Sequence, residues 1–388
     1  MRKTNKLYYD KQFEYRENFT AQILEINHIS GTSIVVNQTC FYPGGGGQPA
    51  DTGTLGGLDV INVSEHDGII FHYVRDFHGQ LTEGEIIEGF VDFGRRRGFK
   101  QNHTGEHILS GYAKSRFGAT NVGFHMSERG FTMDLDKPLT PLQVNELEDY
   151  ANYAVANKNP VIAEFYTGCN TREMDFRAKK EFADHEQVRI VTVGDYDICA
   201  CAGLHVSNTA EVGFVKIVGY QKYKGGVRLT VYCGQDAFWD YSRKHAICKQ
   251  SGEKLSADTD NIVISLDKLI NGKTELKRQL DKLRNENLKM KAQTVENGAK
   301  LAYFLEEDLE MDDMRRFAKL IAEGAEVAVV ICCGKYAIAS QSQLELEAFV
   351  AKFNKELNGQ GGVGKYLAQG AVKADISEII AFLESFHG

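Results

Sequence analysis

Between residues 7 and 88 the apolar residues arrive in short alternating runs broken by glycine, as in ILEINHISGTSIVVNQTCFYP and DTGTLGGLDVINVSEHDGIIFHYVRDF. A period of two buries one face of a strand, and a helix cannot use it. A small barrel or curled sheet is the fold that such a segment supports. The period changes at FGRRRGFKQNHTGEHILSGYAKSRFG, where Ile108, Leu109, Tyr112 and Ala113 share one helical face. A second helix is predicted in TPLQVNELEDYANYAVANK. Strands are predicted in QVRIVTVG before CACAGLH, and in EVGFVKIVGYQ and GGVRLTVYCG after it.

From about residue 251 the composition shifts. Leu269, Leu276, Leu283 and Met290 recur at seven-residue steps, while Leu266, Lys273, Leu280 and Asn287 form a half-polar second seam. The pattern predicts a long helix, coiled-coil-like and of limited stability, able to pair within a chain or between chains. Its outer face is locally basic. In the last part, EVAVVICCGKYAIAS reads as two buried strands around Gly334, QLELEAFVAKFNKEL and DISEIIAFLESF as helices, and NGQGGVGKYLAQG as a glycine-rich loop. The expected class is α+β. Residues 1–88 form a β-barrel-like domain, 89–250 a metal-bearing core, 251–300 a helical arm and 301–388 a C-terminal α/β domain.

The 388 residues carry 45 Lys and Arg against 53 Asp and Glu, a net charge of −8. That balance excludes indiscriminate nucleic-acid binding but leaves room for a local basic strip. No apolar run approaches the roughly 18 residues of a membrane span. The opening MRKTNKLYYDKQFEY lacks the apolar core of a secretory signal. A reduced, cytoplasmic setting follows as the expectation, in which the eight cysteines serve metal binding or packing rather than disulfides.

Two pairs carry the chemistry. His103 and His107, four apart, share one face of a helix one turn from each other. Glu106 precedes the second histidine, so the segment is not the HExxH of metalloproteases. About 95 residues on, Cys201 and His205 form a second pair with the same spacing. Together they make a His₃Cys set suited to a tetrahedral metal. Cys199 is a rival ligand, because positions 199 and 201 of a strand point the same way. His72 and His125 are further histidines able to enter a pocket. A closed four-ligand zinc is usually structural, so the spacing leaves open whether the metal activates water, holds substrate or only braces the fold.

The stretch CFYPGGGGQPADTG, residues 40–53, is not a phosphate-binding loop: no Lys-Ser/Thr follows Gly47, and Pro49 takes the last glycine position of GxGxxG. It reads instead as a close-approaching wall with Thr39 on one side and Gln48 on the other.

Thr39–Asp51, Asn102–Leu109 with its two histidines, and Cys201–Val206 followed by Thr209–Gly213 together resemble the editing domain of alanyl-tRNA synthetase and its free-standing relatives, the AlaX proteins. The helical arm and NGQGGVGKYLAQG resemble the linker and C-terminal domain of the same synthetase, which suggests the long AlaX form. The resemblance implies a zinc-dependent deacylase hydrolysing the ester of alanine tRNA mischarged with serine or glycine. It implies His103, His107, Cys201 and His205 as zinc ligands, Gln48 as a pocket residue beside the metal, and Thr39 as the residue reading the serine hydroxyl. Arg95, Arg96, Arg97 and Lys100 are the candidates for holding tRNA phosphates, and a homodimer through the C-terminal region is one arrangement of the seam. Few residues precede the β region, so no synthetase catalytic domain is expected and editing would act in trans. Ala202 and Leu204 stand where the family carries glycine and threonine, which bears on backbone shape and amino-acid selectivity. A tRNA-binding protein with a structural zinc, and a deacylase for another mischarged tRNA, are the alternatives.

Overall fold

The computed structural model describes residues 3–386 apart from 14, 17, 29–30, 173 and 179–180. It divides into two compact units, Met1–Gln250 and Ser251–Gly388.

The first unit begins with β1 (Asn5–Lys6), β2 (Asn18–Asn27), β3 (Thr32–Val36), β4 (Gln38–Thr39), β5 (Gly53–Leu55), β6 (Leu58–His66), β7 (Ile69–Val74) and β8 (Ile86–Val91). Pairing runs β2-β3-β7-β6-β5-β8 and returns to β2, a closed barrel, while β1 and β4 form a short parallel pair beside it. The inward residues of the alternating runs, among them Ile34, Val36, Leu55 and Ile70, fill its core together with Phe41.

Helix α1 (Phe93–Phe117) follows, capped by Asp92, whose side chain accepts from the Arg95 amide. It ends at Gly118, in a left-handed conformation that favours glycine. From Phe99 to Gly111 it is buried on all sides, because sheets flank it. One sheet has the order β14 (Val215–Tyr223), β15 (Gly226–Cys233), β10 (Phe131–Leu135), β9 (Asn121–Met126). The other runs β11 (Val161–Thr167), β12 (Gln187–Val193), β13 (Asp197–Ala200). Helix α2 (Pro141–Ala156), opened by a Thr140–Gln143 capping box, buries Val144, Leu147, Ala151 and Ala154 in the same core.

Helix α3 (Gly234–Leu255) continues straight from β15, a helix that the strand-like patterning before 240 did not reveal. In the second unit α4 (Ile262–Ala292) carries the seven-residue repeat. Within the chain the seam is unpaired: Leu266, Leu269, Leu276, Leu283 and Met290 stand exposed, and of the helix only Leu288 is buried. The remaining elements are β16 (Ala299–Glu306), α5 (Met311–Ile321), β17 (Ala325–Cys332), β18 (Lys335–Ser340), α6 (Gln343–Glu356), β19 (Gln360–Val363), β20 (Leu367–Ala371) and α7 (Ile376–Glu384). Val327, Val329 and Ile338 pack against α6 and α7, whereas Ala328, Val330 and Ala339 meet α5. The glycine-rich loop expected in NGQGGVGKYLAQG is instead the β19–β20 hairpin, with Gly361 opposite Gly370. Among the described residues no helix is long and apolar enough to cross a membrane.

Candidate metal centre

The middle of α1 brings His103 and His107 to one face with ring centroids 5.5 Å apart. The chain leaving β13 turns back over them, so that the His205 ring lies 4.5 Å from His103 and 4.6 Å from His107. Cys201 Sγ is 3.4 Å from His103 Nε2. The four donor atoms of His103, His107, Cys201 and His205 all fall within 4.8 Å of one another.

What stands behind each imidazole fixes which nitrogen faces the centre. His103 Nδ1 meets Gln48 Oε1 at 3.0 Å. An amide oxygen only accepts, so Nδ1 carries the hydrogen and Nε2 is left with its lone pair toward the cluster. His107 Nδ1 stands 2.9 Å from Asp197 Oδ2, and Asp197 is itself held by both arms of Arg177 at 2.6 and 2.7 Å. His205 Nδ1 lies 3.1 Å from Thr104 Oγ1, while its Nε2 is buried with no hydrogen-bond partner among the described residues. An imidazole oriented by an oxygen on one nitrogen and bare on the other is the arrangement of a metal-binding histidine.

The electrostatics agree. Burial alone would raise the Cys201 thiol, but the surrounding imidazoles, His103 foremost, hold it well below the ordinary thiol range. Burial and the neighbouring His103 push His205 well below the usual histidine value, which keeps it neutral. Three imidazoles converging on one sulfur, with His205 Nε2 buried and lacking a hydrogen-bond partner among the described residues, fit a single cation of borderline softness in tetrahedral N₃S coordination. Cys199, the rival ligand, is pushed up to about 11 by burial. It lies instead near His107 and Asp197, on the side that Asp197 occupies.

The glycine run forms the wall opposite. Gly45 and Gln48 exchange backbone hydrogen bonds at 2.9 and 3.0 Å. Gly46 and Gly47 between them have φ of +61° and +95°, the sign that a tight primed turn demands of both central residues. This turn delivers Gln48 to His103 and Leu204: its Oε1 also accepts from the Leu204 amide at 2.9 Å, while its Nε2 is buried without a partner among the described residues. At the second pair Gly203 is required by space, because a Cβ there would lie 2.0 Å from His103 Cε1.

The loop from Cys201 to His205 is pinned at successive positions. Tyr9 donates its hydroxyl to the Ala202 carbonyl at 2.6 Å, and Arg189 donates to the carbonyls of Cys201 and Gly203 at 2.9 and 2.7 Å. A cavity of about 160 Å³ opens beside it, lined by Tyr9, Lys100, Phe165, Arg189, Leu204 and His205 among others.

Comparison with known proteins places this site. Residues 188–230, which include Asp197, Cys201 and His205, match the family described as the threonyl and alanyl tRNA synthetase second additional domain. Residues 2–95, with Thr39 and Gln48, match the class II (A) tRNA synthetases. The alanyl-tRNA editing protein AlaX-L of Pyrococcus horikoshii is 27% identical over 384 residues, covering 94% of both chains. Over nearly its whole length the chain is thus similar to an alanyl-tRNA editing protein of the AlaX type. The alanine–tRNA ligase of Pyrococcus abyssi is 28% identical over 401 residues, which are 98% of this chain and 43% of the ligase. That of Halobacterium salinarum is 29% identical over 356 residues, 84% of this chain and 37% of the ligase. The chain therefore spans less than half the length of these ligases.

Against this site, the expected residues separate. The four ligand candidates and Gln48 converge. Thr39 is fully buried; its hydroxyl lies 2.9 Å from His72 Nε2 and accepts from the Phe41 amide at 3.1 Å. His72 is thus wired to Thr39, whereas His125 is exposed on β9 and outside the cluster. Of the four basic residues expected at phosphates, Arg97 is exposed. Arg95 clasps Glu128 at 2.7 and 3.0 Å and donates to the Ala50 carbonyl. Arg96 is buried against Asp51 and the Cys40 carbonyl, tying α1 to the glycine loop. Lys100 is buried, its ammonium 5.3 Å from the Tyr15 ring. In a packed α1 these cations serve the interior. Ala202 is not in a left-handed conformation, so the missing glycine there costs nothing. Leu204 packs into the barrel core, which explains an apolar residue at that place.

Thr104, Arg177, Asp197 and Phe124, whose ring stacks on His103 at 5.2 Å, were not found by sequence reasoning. Asp197 offered a faint signal, as an acid four residues before the cysteine ligand. The others act across long sequence separations and gave none.

Proposed function

We propose that this protein is a zinc-dependent hydrolase that removes serine or glycine from mischarged alanine tRNA. The observation that carries the proposal is the N₃S set beside a buried donor, Gln48 Nε2, that no group of the described residues satisfies. The name AlaX-L of the relative that shares nearly the whole length supports the substrate class.

His103, His107, Cys201 and His205 would hold the zinc, which when bound supplies Lewis-acid polarisation of an oxygen or amine ligand. Gln48 keeps His103 in the ligating tautomer through Oε1 and leaves its Nε2–H to donate to an oxygen of the ester or the terminal ribose. Asp197 and Arg177 lock the His107 ring, and Thr104 locks that of His205. The cavity against His205 is the proposed seat of the esterified end. Selectivity for serine requires a hydrogen bond to its hydroxyl, because a site that excludes one atom by size discriminates weakly. Thr39 is proposed as that contact. Its hydrogen is given to His72 and one lone pair to the Phe41 amide, so it meets a substrate hydroxyl as acceptor. Arg97 is the proposed phosphate contact on α1, and a cytoplasmic location follows from the substrate.

The test is deacylation of seryl-, glycyl- and alanyl-tRNA of the alanine type by zinc-loaded protein. Loss of the serine ester, abolished in a Cys201→Ala, His205→Ala double variant and with serine preference over alanine reduced in Thr39→Val, is the expected outcome. Stable seryl-tRNA in the presence of fully loaded wild type would refute the proposal.

A further inference from the structure

The first half of α3 carries side chains that neither the metal site nor the core uses. Phe238, Trp239 and Tyr241 are 60%, 50% and 64% exposed. The guanidinium of Arg129, from the turn between β9 and β10, sits 5.5 Å from the Trp239 ring. The arrangement is braced underneath. Asp236, on the first turn of α3, accepts from Asn102 Nδ2 at 2.9 Å and from the Gly130 amide at 3.0 Å. Arg95 ties the start of α1 to Glu128 in the same turn. Three elements are thereby fixed together, and their root, Asn102, is the residue immediately before the ligand His103.

Charge singles out what this face fits. The chain carries −8 overall, and Arg95, Arg96 and Arg228 of this unit are paired with carboxylates. Arg97, Arg129 and Arg243 are exposed and have no carboxylate partner among the described residues, while the nearby Asp240 is engaged by Lys244 at 2.5 Å. Flat aromatic faces interleaved with unpaired guanidinium groups are the chemistry that holds a nucleic-acid strand: bases or sugars pack on the rings and phosphates meet the cations. A second copy of the chain fits less well, since a two-fold contact of this face with itself would set Arg129 against its own like charge.

We propose that Trp239 and Phe238 on α3, with Arg129, form an RNA-docking platform that grips the strand whose esterified end lies at the metal centre. This rests on the deacylase reading, but it is read out separately. Trp239 is the only tryptophan of the chain, so its emission reports on this surface alone.

The experiment titrates uncharged alanine tRNA into the full-length, zinc-loaded protein while following tryptophan emission, with filter binding and seryl-tRNA deacylation measured in parallel. Saturable quenching that weakens with salt is expected. Arg129→Ala should bind about tenfold more weakly and lower the slope of log affinity against log salt by about one. Trp239→Ala should weaken filter binding by about tenfold, the loss of a stacking contact. Both variants should raise KM and leave kcat within about twofold. Binding by filter without any change in Trp239 emission would overturn the platform and leave the deacylase standing. So would unaltered affinity in both variants. An emission shift that follows protein concentration without RNA would assign the face to a second copy, and absence of binding by either measure would also overturn it. Quenching without hydrolysis would keep the platform and refute the deacylase.

Discussion

His72 sits on β7 without solvent contact, opposite Ile34 of β3. Its Nδ1 donates to the Ile34 carbonyl at 2.9 Å, and its Nε2 receives the Thr39 hydroxyl at 2.9 Å. Burial lowers its pKa from 6.5 to about 4, against a small opposing pull from that carbonyl. In the unfolded chain the ring protonates near 6.5; in the folded barrel it stays neutral until about pH 4. Between those values the unfolded state binds more protons, so stability is intact above about 6.5 and is lost as pH falls toward 4. A shift of roughly 2.5 units at about 1.36 kcal/mol each gives a loss of about 3 kcal/mol at pH 4. The assay is urea unfolding of wild type and His72→Asn, followed by Trp239 emission at pH 7 and pH 4. A metal held at the His103–His205 cluster would also be released by acid, but in both proteins alike, and the comparison removes that contribution. The variant should be less stable at pH 7, and its loss between pH 7 and 4 should be smaller than that of wild type by about 3 kcal/mol. Equal losses in the two proteins, or an imidazole resonance of His72 titrating near 6.5, would refute the reasoning.

Gly203→Ala should abolish stoichiometric metal binding, because the added methyl would lie 2.0 Å from His103 Cε1 and 3.0 Å from Gln48 Oε1; elemental analysis of the purified variant checks this, and full occupancy would contradict it. Asp197→Asn should weaken metal affinity by about 10- to 100-fold, since the group orienting His107 loses its charge. Chelator competition measures that change, and Arg177→Ala should shift it in the same direction by a smaller amount, with unchanged affinity in both counting against the assignment.

How much of this was legible differs by residue. His103 and His107 were readable because a helix imposes their spacing locally, and the alternation of residues 7–88 announced strands for the same reason. The repeat in α4 announced a helix but not its exposure, since a heptad states what a helix needs and not whether a partner is present. NGQGGVGKYLAQG looked like a loop because glycine is poor in strands; Tyr336 and the close Gly361–Gly370 approach make room for a hairpin there, where a Cβ on Gly370 would lie 2.3 Å from the Gln360 carbonyl. Arg96 and Lys100 looked like surface cations because a charge run gives no sign of which members turn inward.

The sequence by itself determined the donor set, three imidazoles and one thiol in two four-residue pairs, because that information is short-range. It also determined the glycine run that lets the chain turn against the site. Tertiary structure alone decided which nitrogen of each histidine is free, since Gln48, Thr104 and Asp197 reach their partners across 55, 101 and 90 residues. It decided as well that Cys201 and not Cys199 stands among the three imidazoles, for which sulfur they surround depends on the fold rather than on its neighbours in the chain.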